Sequence, residues 1–459
     1  MRTPVVAVVG GGVAGLSAAW ELLQGNDVRV VVLEAADAVG GKLRRAEVAG
    51  YPVDVGAESM LARRPEATGL VADLGLGERL THPEPVSAAV WSRGRRWPLP
   101  GGTVMGVPTD PADAAGVLTS EEVVRASAEQ VGPPLVEDVA VGTFVADRVG
   151  PAVVDRLVEP LLAGVYAGHA RSLSLQATVP ALWAAATDGT AIVGRPATDA
   201  PGGPVFAGYR GGLGLLASDL AAAVVGRGGQ IRARSTVREL ARRPDGWRLT
   251  VGPTVDRETL DVDGVVLALP ATPAARLLRP FSSLAAERLD EIAYASVAIV
   301  TLALPRSAAL LLGGSGFLVP PVEPLAIKAA TFSSTKWAWL AEDTQDVVLL
   351  RASLGRAGEV AVLQRDDDDL VRTVVADLRT VLGPDFPDPI DDHVQRWGGA
   401  LPQYAVGHVT RIQAVLGAVA DQPALAVAGA AYEGVGIPAC IGSGRRAARE
   451  VLAVLRQPQ

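Results

Sequence analysis

The apolar run Val5–Val9 stops at Gly10-Gly11-Gly12. It is short, β-branched and apolar on both faces, the pattern of a parallel strand covered on each side. Apolar positions at helical spacing over 16–23 come next, and then a second apolar run over 28–33. Together they predict strand, turn, helix and strand within about 30 residues. From Pro98 to about residue 176 the pattern becomes helical, over 120–131 and 153–162, after a start punctuated by proline and glycine. The Pro/Gly-rich stretch 194–214 reads as a return loop. A helix over 215–225 precedes strand-like runs at 231–233, 247–251 and 265–269. Runs at 297–304 and Val347–Leu354 predict an antiparallel sheet in a second domain. Four acids at 366–369 precede a periodic stretch over 370–382, where carboxylates complement the dipole at a helix start. The last unit is a strand over 425–428, a Gly-rich turn and a helix over 442–455.

Composition narrows the class. A chain of 459 residues suggests two or three domains, and 49% hydrophobic against 20% charged residues supply ample cores. A net charge of −8 argues against a nucleic-acid surface, which needs clustered cations. Cys440 is the only cysteine, so no internal disulfide forms. The four histidines, at 82, 169, 393 and 408, lack ligand spacing, and the acids at 366–369 diverge on a helix start; no metal is expected. Val5–Val9 is too short for a signal-peptide core and no long apolar span is present, so the expectation is a cytoplasmic protein without a transmembrane anchor. Peripheral contact with a membrane is left open.

Gly10-x-Gly12-x-x-Gly15 comes after the first strand and opens the first helix. Gly10 permits the tight turn, Gly12 lets backbone approach a pyrophosphate, and Gly15 lets the helix pack on the strand. The segment Gly10, Gly11, Gly12, Val13, Ala14, Gly15 would hold phosphates at a helix N-terminus. Glu34, closing the second strand with Ala35 behind it, is placed to accept from ribose hydroxyls, which disfavours a 2′-phosphate. These features imply a dinucleotide and leave NAD and FAD open. Gly40-Gly41-Lys42 then adds two glycines and a cation that can wrap a second turn around the pyrophosphate.

This arrangement resembles the FAD-containing amine oxidase superfamily. So does the segment 428–438, in which Gly429 would meet the pyrophosphate and the amides of Val435, Gly436 and Ile437 the flavin pyrimidine edge. Negative charge on reduced flavin would be stabilised there. The resemblance further implies that Gly56, Ala57, Glu58 and Ser59 face the flavin, that Val237 holds the adenine and that Trp397 lies against the ring. No cysteine stands where relatives link flavin covalently, so FAD is expected to be non-covalent.

Further stretches, read in order along the chain, are similar to the protoporphyrinogen/coproporphyrinogen oxidase family: 54–59, 158–168, 316–320, 334–337, 396–408 and 432–437. The soluble bacterial branch is matched best, which implies coproporphyrinogen III as substrate. Six hydrogens would leave in three flavin cycles, with O₂ as acceptor and hydrogen peroxide released. A protoporphyrinogen oxidase, or another amine oxidase or desaturase of the superfamily, is the alternative. Transient contact with a ferrochelatase would serve product delivery. The expected fold is α/β (α+β overall). A Rossmann-like FAD domain would comprise 1–85, 207–272 and 415–459, a mixed-sheet substrate domain 86–97 and 273–414, and a mostly helical insertion 98–206. Relatives carry Gly-Pro at Gly56-Ala57 and Asp at His169, which puts in doubt any role needing that carboxylate.

The flavin performs the oxidation in this family, so no protein base is nominated. Substrate carboxylates call for cations. Arg63 and Arg64 are the first candidates, then Lys336, Lys328 and Arg351, each of which could equally be a surface cation. Tyr166 and Gly168 belong to the family's active-site loop. A structural role is the expectation for His408 and Cys440.

Overall fold

Val6 and Val8 point into one apolar core and Ala7 and Val9 into another, so the first strand is buried on both faces. The fold is that of a computed structural model, which describes residues 2–25, 27–195 and 203–456. The strand lies at the centre of a parallel sheet ordered Gln230–Arg232, Arg29–Leu33, Val5–Val9, Gly264–Leu267 and Leu425–Val427. Helices Val13–Leu22, Leu213–Gly226 and Ile437–Leu455 cover one face. A three-stranded antiparallel sheet, Val237–Arg243, Gly246–Val251 and Glu258–Val262, covers the other with helix Ala271–Leu278.

A seven-stranded sheet forms the second layer system, ordered Asp391–Pro402, Tyr294–Pro305, Val347–Leu354, Ile327–Thr331, Gly316–Leu318, Ala88–Ser92 and Arg95–Pro98. It is not wholly antiparallel as the strand runs suggested, because Gly316–Leu318 pairs parallel with Ala88–Ser92. Helix Asp367–Leu382 packs on it through Leu370, Val374 and Leu378. Asp366 stands just outside that helix, and Asp367 and Asp369 pair with Arg396 and Arg372.

Residues 107–192 build a third, mostly helical core around Phe144, Leu157, Leu162 and Leu182. Its long helix runs from Pro151 to Tyr166 through a π-turn at Val154–Val158. A π-turn adds one residue to each hydrogen-bonded ring and occurs frequently at functional sites; this one lies eight residues before Tyr166. Of the return loop over 194–214, residues 196–202 lie outside the described residues; its end is the strand Phe206–Tyr209.

The last helix begins at Ile437, five residues earlier than its periodicity indicated. Pro438 sits in its first turn, where a missing N–H costs nothing. This helix crosses the first one so closely that a Cβ on Gly444 would lie 2.1 Å from Ala14 O. The first helix and this one are thereby locked side by side.

Candidate active site

Gly10 has φ +105°, and its N–H donates to Leu33 O at 2.8 Å, turning the chain out of the first strand. A Cβ on Gly15 would sit 1.9 Å from Gly10 O, so the helix rests directly on the turn. Gly12 faces open space, and no side chain caps the helix that starts beside it. Its first-turn N–H groups are therefore available to an anion. Glu34 accepts from Gly11 N–H at 2.6 Å and from Ala36 N–H at 2.8 Å. Held at this height, half-buried, the carboxylate keeps further lone pairs for hydroxyl donors.

The second glycine turn lies against the first. Gly40 N–H donates to Gly11 O at 2.8 Å, and a Cβ on Gly41 would approach Gly12 Cα to 3.2 Å. Lys42 is solvent-reached but ringed by protein, and that desolvation lowers its pKa. Its carbonyl accepts from Ala57 N–H, which brings the 56–59 segment alongside. Trp397 donates its indole N–H to Val55 O at 2.9 Å and touches Gly56, where a Cβ would meet the ring at 3.3 Å.

The C-terminal turn approaches the same opening. Gly429 N–H donates to Ser443 Oγ at 3.0 Å, and Gly436 precedes a helix that also lacks a side-chain cap. Two uncapped helix N-termini, two interleaved glycine turns and one anchored carboxylate form a cradle for an elongated, pyrophosphate-bearing ligand. Val237 is buried at the start of its strand.

The cations are distributed differently from the sequence expectation. Glu58 is buried and accepts from Lys336 Nζ at 2.9 Å, Arg351 Nη1 at 3.0 Å and Ser333 Oγ at 3.0 Å. Arg351 also donates to Gly56 O at 2.6 Å. Lys336 and Arg351 are thus both engaged by this one carboxylate and are not two free cations for substrate carboxylates. The Glu58 side chain is taken up by these contacts and by the Trp337 indole N–H at 3.3 Å. Lys328 is buried too, donates to Gly355 O at 2.8 Å, and is lowered to about 7 by burial. Arg63 and Arg64 remain exposed, Arg64 paired with Glu66. Asp54, which receives the N–H groups of Leu213 and Gly214 at 2.7 and 2.9 Å, shares the pocket of Glu58; burial raises it to about 6.

Tyr166 ends its helix, and Ala167 stands next to it in the left-handed region. Gln403 Nε2 donates to Tyr166 O at 2.7 Å, and a Cβ on Gly168 would lie 2.2 Å from Gln403 Oε1. His169 bonds Ala357 O at 3.0 Å through Nε2. His408 is 1% exposed and stacks on Tyr404 at 3.7 Å. Burial, with Arg411 adding, lowers its pKa from 6.5 to about 4. Stability from neutral His408 is complete above pH 6.5 and is lost as pH falls through 4. Replacing it with Gln is expected to flatten that loss, worth about 3 kcal/mol at full extent. Thermal midpoints of both proteins at pH 7 and pH 4.5 check it.

Residues 13–452 match the model of the flavin containing amine oxidoreductases. The chain belongs to this family. It is a flavin-dependent oxidoreductase of mixed α/β fold. The coproporphyrinogen III oxidase of Mycobacterium tuberculosis is 39% identical over 98% of this chain and 97% of its own. The Bacillus subtilis protein of that name is 32% identical, with 98% of each chain covered. A solved structure from an Exiguobacterium species, provisionally described as a protoporphyrinogen oxidase, superposes with TM-score 0.86 at 30% identity over all of both chains. Cyclohexylamine oxidase of Brevibacterium oxydans, at 15% identity and TM-score 0.71, shares the fold over 99% of this chain and 100% of its own. No described helix is long and apolar enough to cross a membrane.

Proposed function

We propose that this chain is a cytoplasmic coproporphyrinogen III oxidase that binds FAD non-covalently and uses O₂ as acceptor. The observation that carries this reading is the 39% identity, nearly end to end, with enzymes of that name. The cradle supports it. Gly10–Gly15 and Gly40–Lys42 would hold the pyrophosphate, Glu34 and Ala35 the ribose end, Val237 the adenine, and Gly429 with Val435–Ile437 the flavin end. Gly56–Ser59 and Trp397 would border the ring. The 1–85, 207–272 and 415–459 segments would together make this unit, a reading supported by their supplying the five strands of the parallel sheet. Cys440 is buried in the last helix, and burial pushes its thiol up to about 11, a poor nucleophile for a covalent link.

Flavin, when bound, would supply a two-electron oxidation chemistry with O₂ as the acceptor. The chain itself binds, orients and excludes water. Tyr166 and Gly168 would border the macrocycle, with Arg63 and Arg64 as the rim cations for its carboxylates, and product passing to a ferrochelatase. Lys336 enters only indirectly, by neutralising Glu58. Gly168, which has no room for a side chain beside Gln403, would fix the cavity's width.

A protoporphyrinogen reading is favoured by the description of the Exiguobacterium structure and by spinach protoporphyrinogen oxidase 1, at 28% identity. Measured kcat/KM decides between them. Coproporphyrinogen III carries four carboxylates against two, and the loss of charge-assisted contacts predicts a preference of at least ~10-fold. A preference for protoporphyrinogen IX would transfer the assignment, and porphyrin fluorescence no faster than autoxidation with either would overturn it.

A further inference from the structure

The adjacent residues Gln403 and Tyr404 both meet Tyr166, the first through its side-chain amide and the second through its ring. Gln403 Nε2 holds both Tyr166 O and, at 3.1 Å, Leu401 O, while its Oε1 fills the space that a side chain on Gly168 would take. Tyr404 is 2% exposed. Its hydroxyl donates to Ala430 O at 2.6 Å and accepts from Gly434 N–H at 2.8 Å. These two groups lie on either side of the C-terminal turn, so one phenol oxygen fixes its width. The ring is clamped between buried His408 and Tyr166, whose centroid is 5.5 Å away. The backbone of Tyr404 is pinned as well, since Ser174 N–H donates to its carbonyl at 2.7 Å.

We infer that Gln403 and Tyr404 are positioning residues that set the flavin-facing turn and the substrate loop in register with each other. The inference rests on the proposed flavin site and goes beyond it. A rotation of the 429–436 turn would misalign the Val435–Ile437 amides with the ring, and the same rotation would pull on Tyr166 through the dipeptide. Amides aimed at a developing charge act only while their direction is fixed.

The test compares holoenzyme with Tyr404→Phe, which keeps the ring stack and removes both turn hydrogen bonds. Expected are a kcat about 10-fold lower with KM within twofold, a shifted visible flavin spectrum, and a reduced-to-oxidised flavin equilibrium about 10-fold less favourable. The last corresponds to about 30 mV in a two-electron midpoint potential. A Tyr404→Phe protein whose melting temperature falls while spectrum, potential and kcat stay at parental values overturns the inference, because the tyrosine would then be structural only. The Gln403 arm is read separately, and it serves alone if Tyr404→Phe does not fold. Gly168→Ala should lower kcat/KM about 10-fold in the parent and under threefold in a Gln403→Ala background. Additive losses overturn the coupling. Protein that purifies and reconstitutes without any flavin refutes the underlying flavin assignment instead, a result distinguishable from both.

Discussion

Replacing Glu58 with Ala is expected to destabilise the protein by about 3–5 kcal/mol, the range for a broken buried pair. Lys336 and Arg351, 16% and 13% exposed, would be left as uncompensated charges, and Asp54 is the other acid of the pocket that Arg351 lines. Burial alone would push the Glu58 pKa up, but Lys336 and Arg351, with hydrogen bonds from Lys336 and Ser333, hold it at about 2. The depressed value means that stability is present above pH 4.5 and is lost as pH falls through 2. The parent should therefore approach the variant in acid. Denaturant midpoints at pH 7 and pH 2.5 measure both effects, and a gap below about 1 kcal/mol at neutral pH, the scale of an exposed pair, would count against the pairing. Glu58→Gln should lie between, since it keeps an acceptor for one cation.

The second large effect falls on the glycine turn. Gly15→Ala places a Cβ 1.9 Å from Gly10 O and 3.2 Å from Ala268 Cβ. Neither the carbonyl nor the sheet behind it can yield, so the first helix must lift by about 1 Å and carry its N–H groups with it. A displacement of that size costs on the order of 100-fold in a site that acts through fixed geometry. FAD affinity is expected to fall by about that factor, and the protein to purify nearly colourless. Flavin absorbance per protein and fluorescence titration with FAD check this; a parental flavin content would falsify the close-packing account.

What could be read in the sequence was what lies contiguously in it. The turn at Gly10–Gly15, Glu34 and the Gly40–Gly41 pair are each short motifs whose chemistry depends on immediate neighbours, and the structure brings them together. The strand Val347–Leu354 was legible to the residue because it is buried and apolar. Its sheet-mate Asp391–Pro402 was not, because most of its side chains stay partly or fully exposed and its run is polar. Glu58 resembled a flavin-facing residue by position, yet its partners lie 278 and 293 residues away. No local pattern encodes that separation. Nor did any mark Gly444 as the contact with Ala14, since the two stand 430 residues apart in the sequence.

The edge strand Leu425–Val427 has a consequence for biogenesis. During translation its place beside Gly264–Leu267 stays vacant until every residue between the two strands has been made. At 5–20 residues per second, roughly 20–80 s separate synthesis of the first strand from that of the last. Through that interval the nascent chain exposes a sheet edge and the apolar side of its first helix, both awaiting the terminal segment. A message truncated before that strand would leave the edge of Gly264–Leu267 unpaired and the apolar side of the first helix uncovered, both of which invite aggregation.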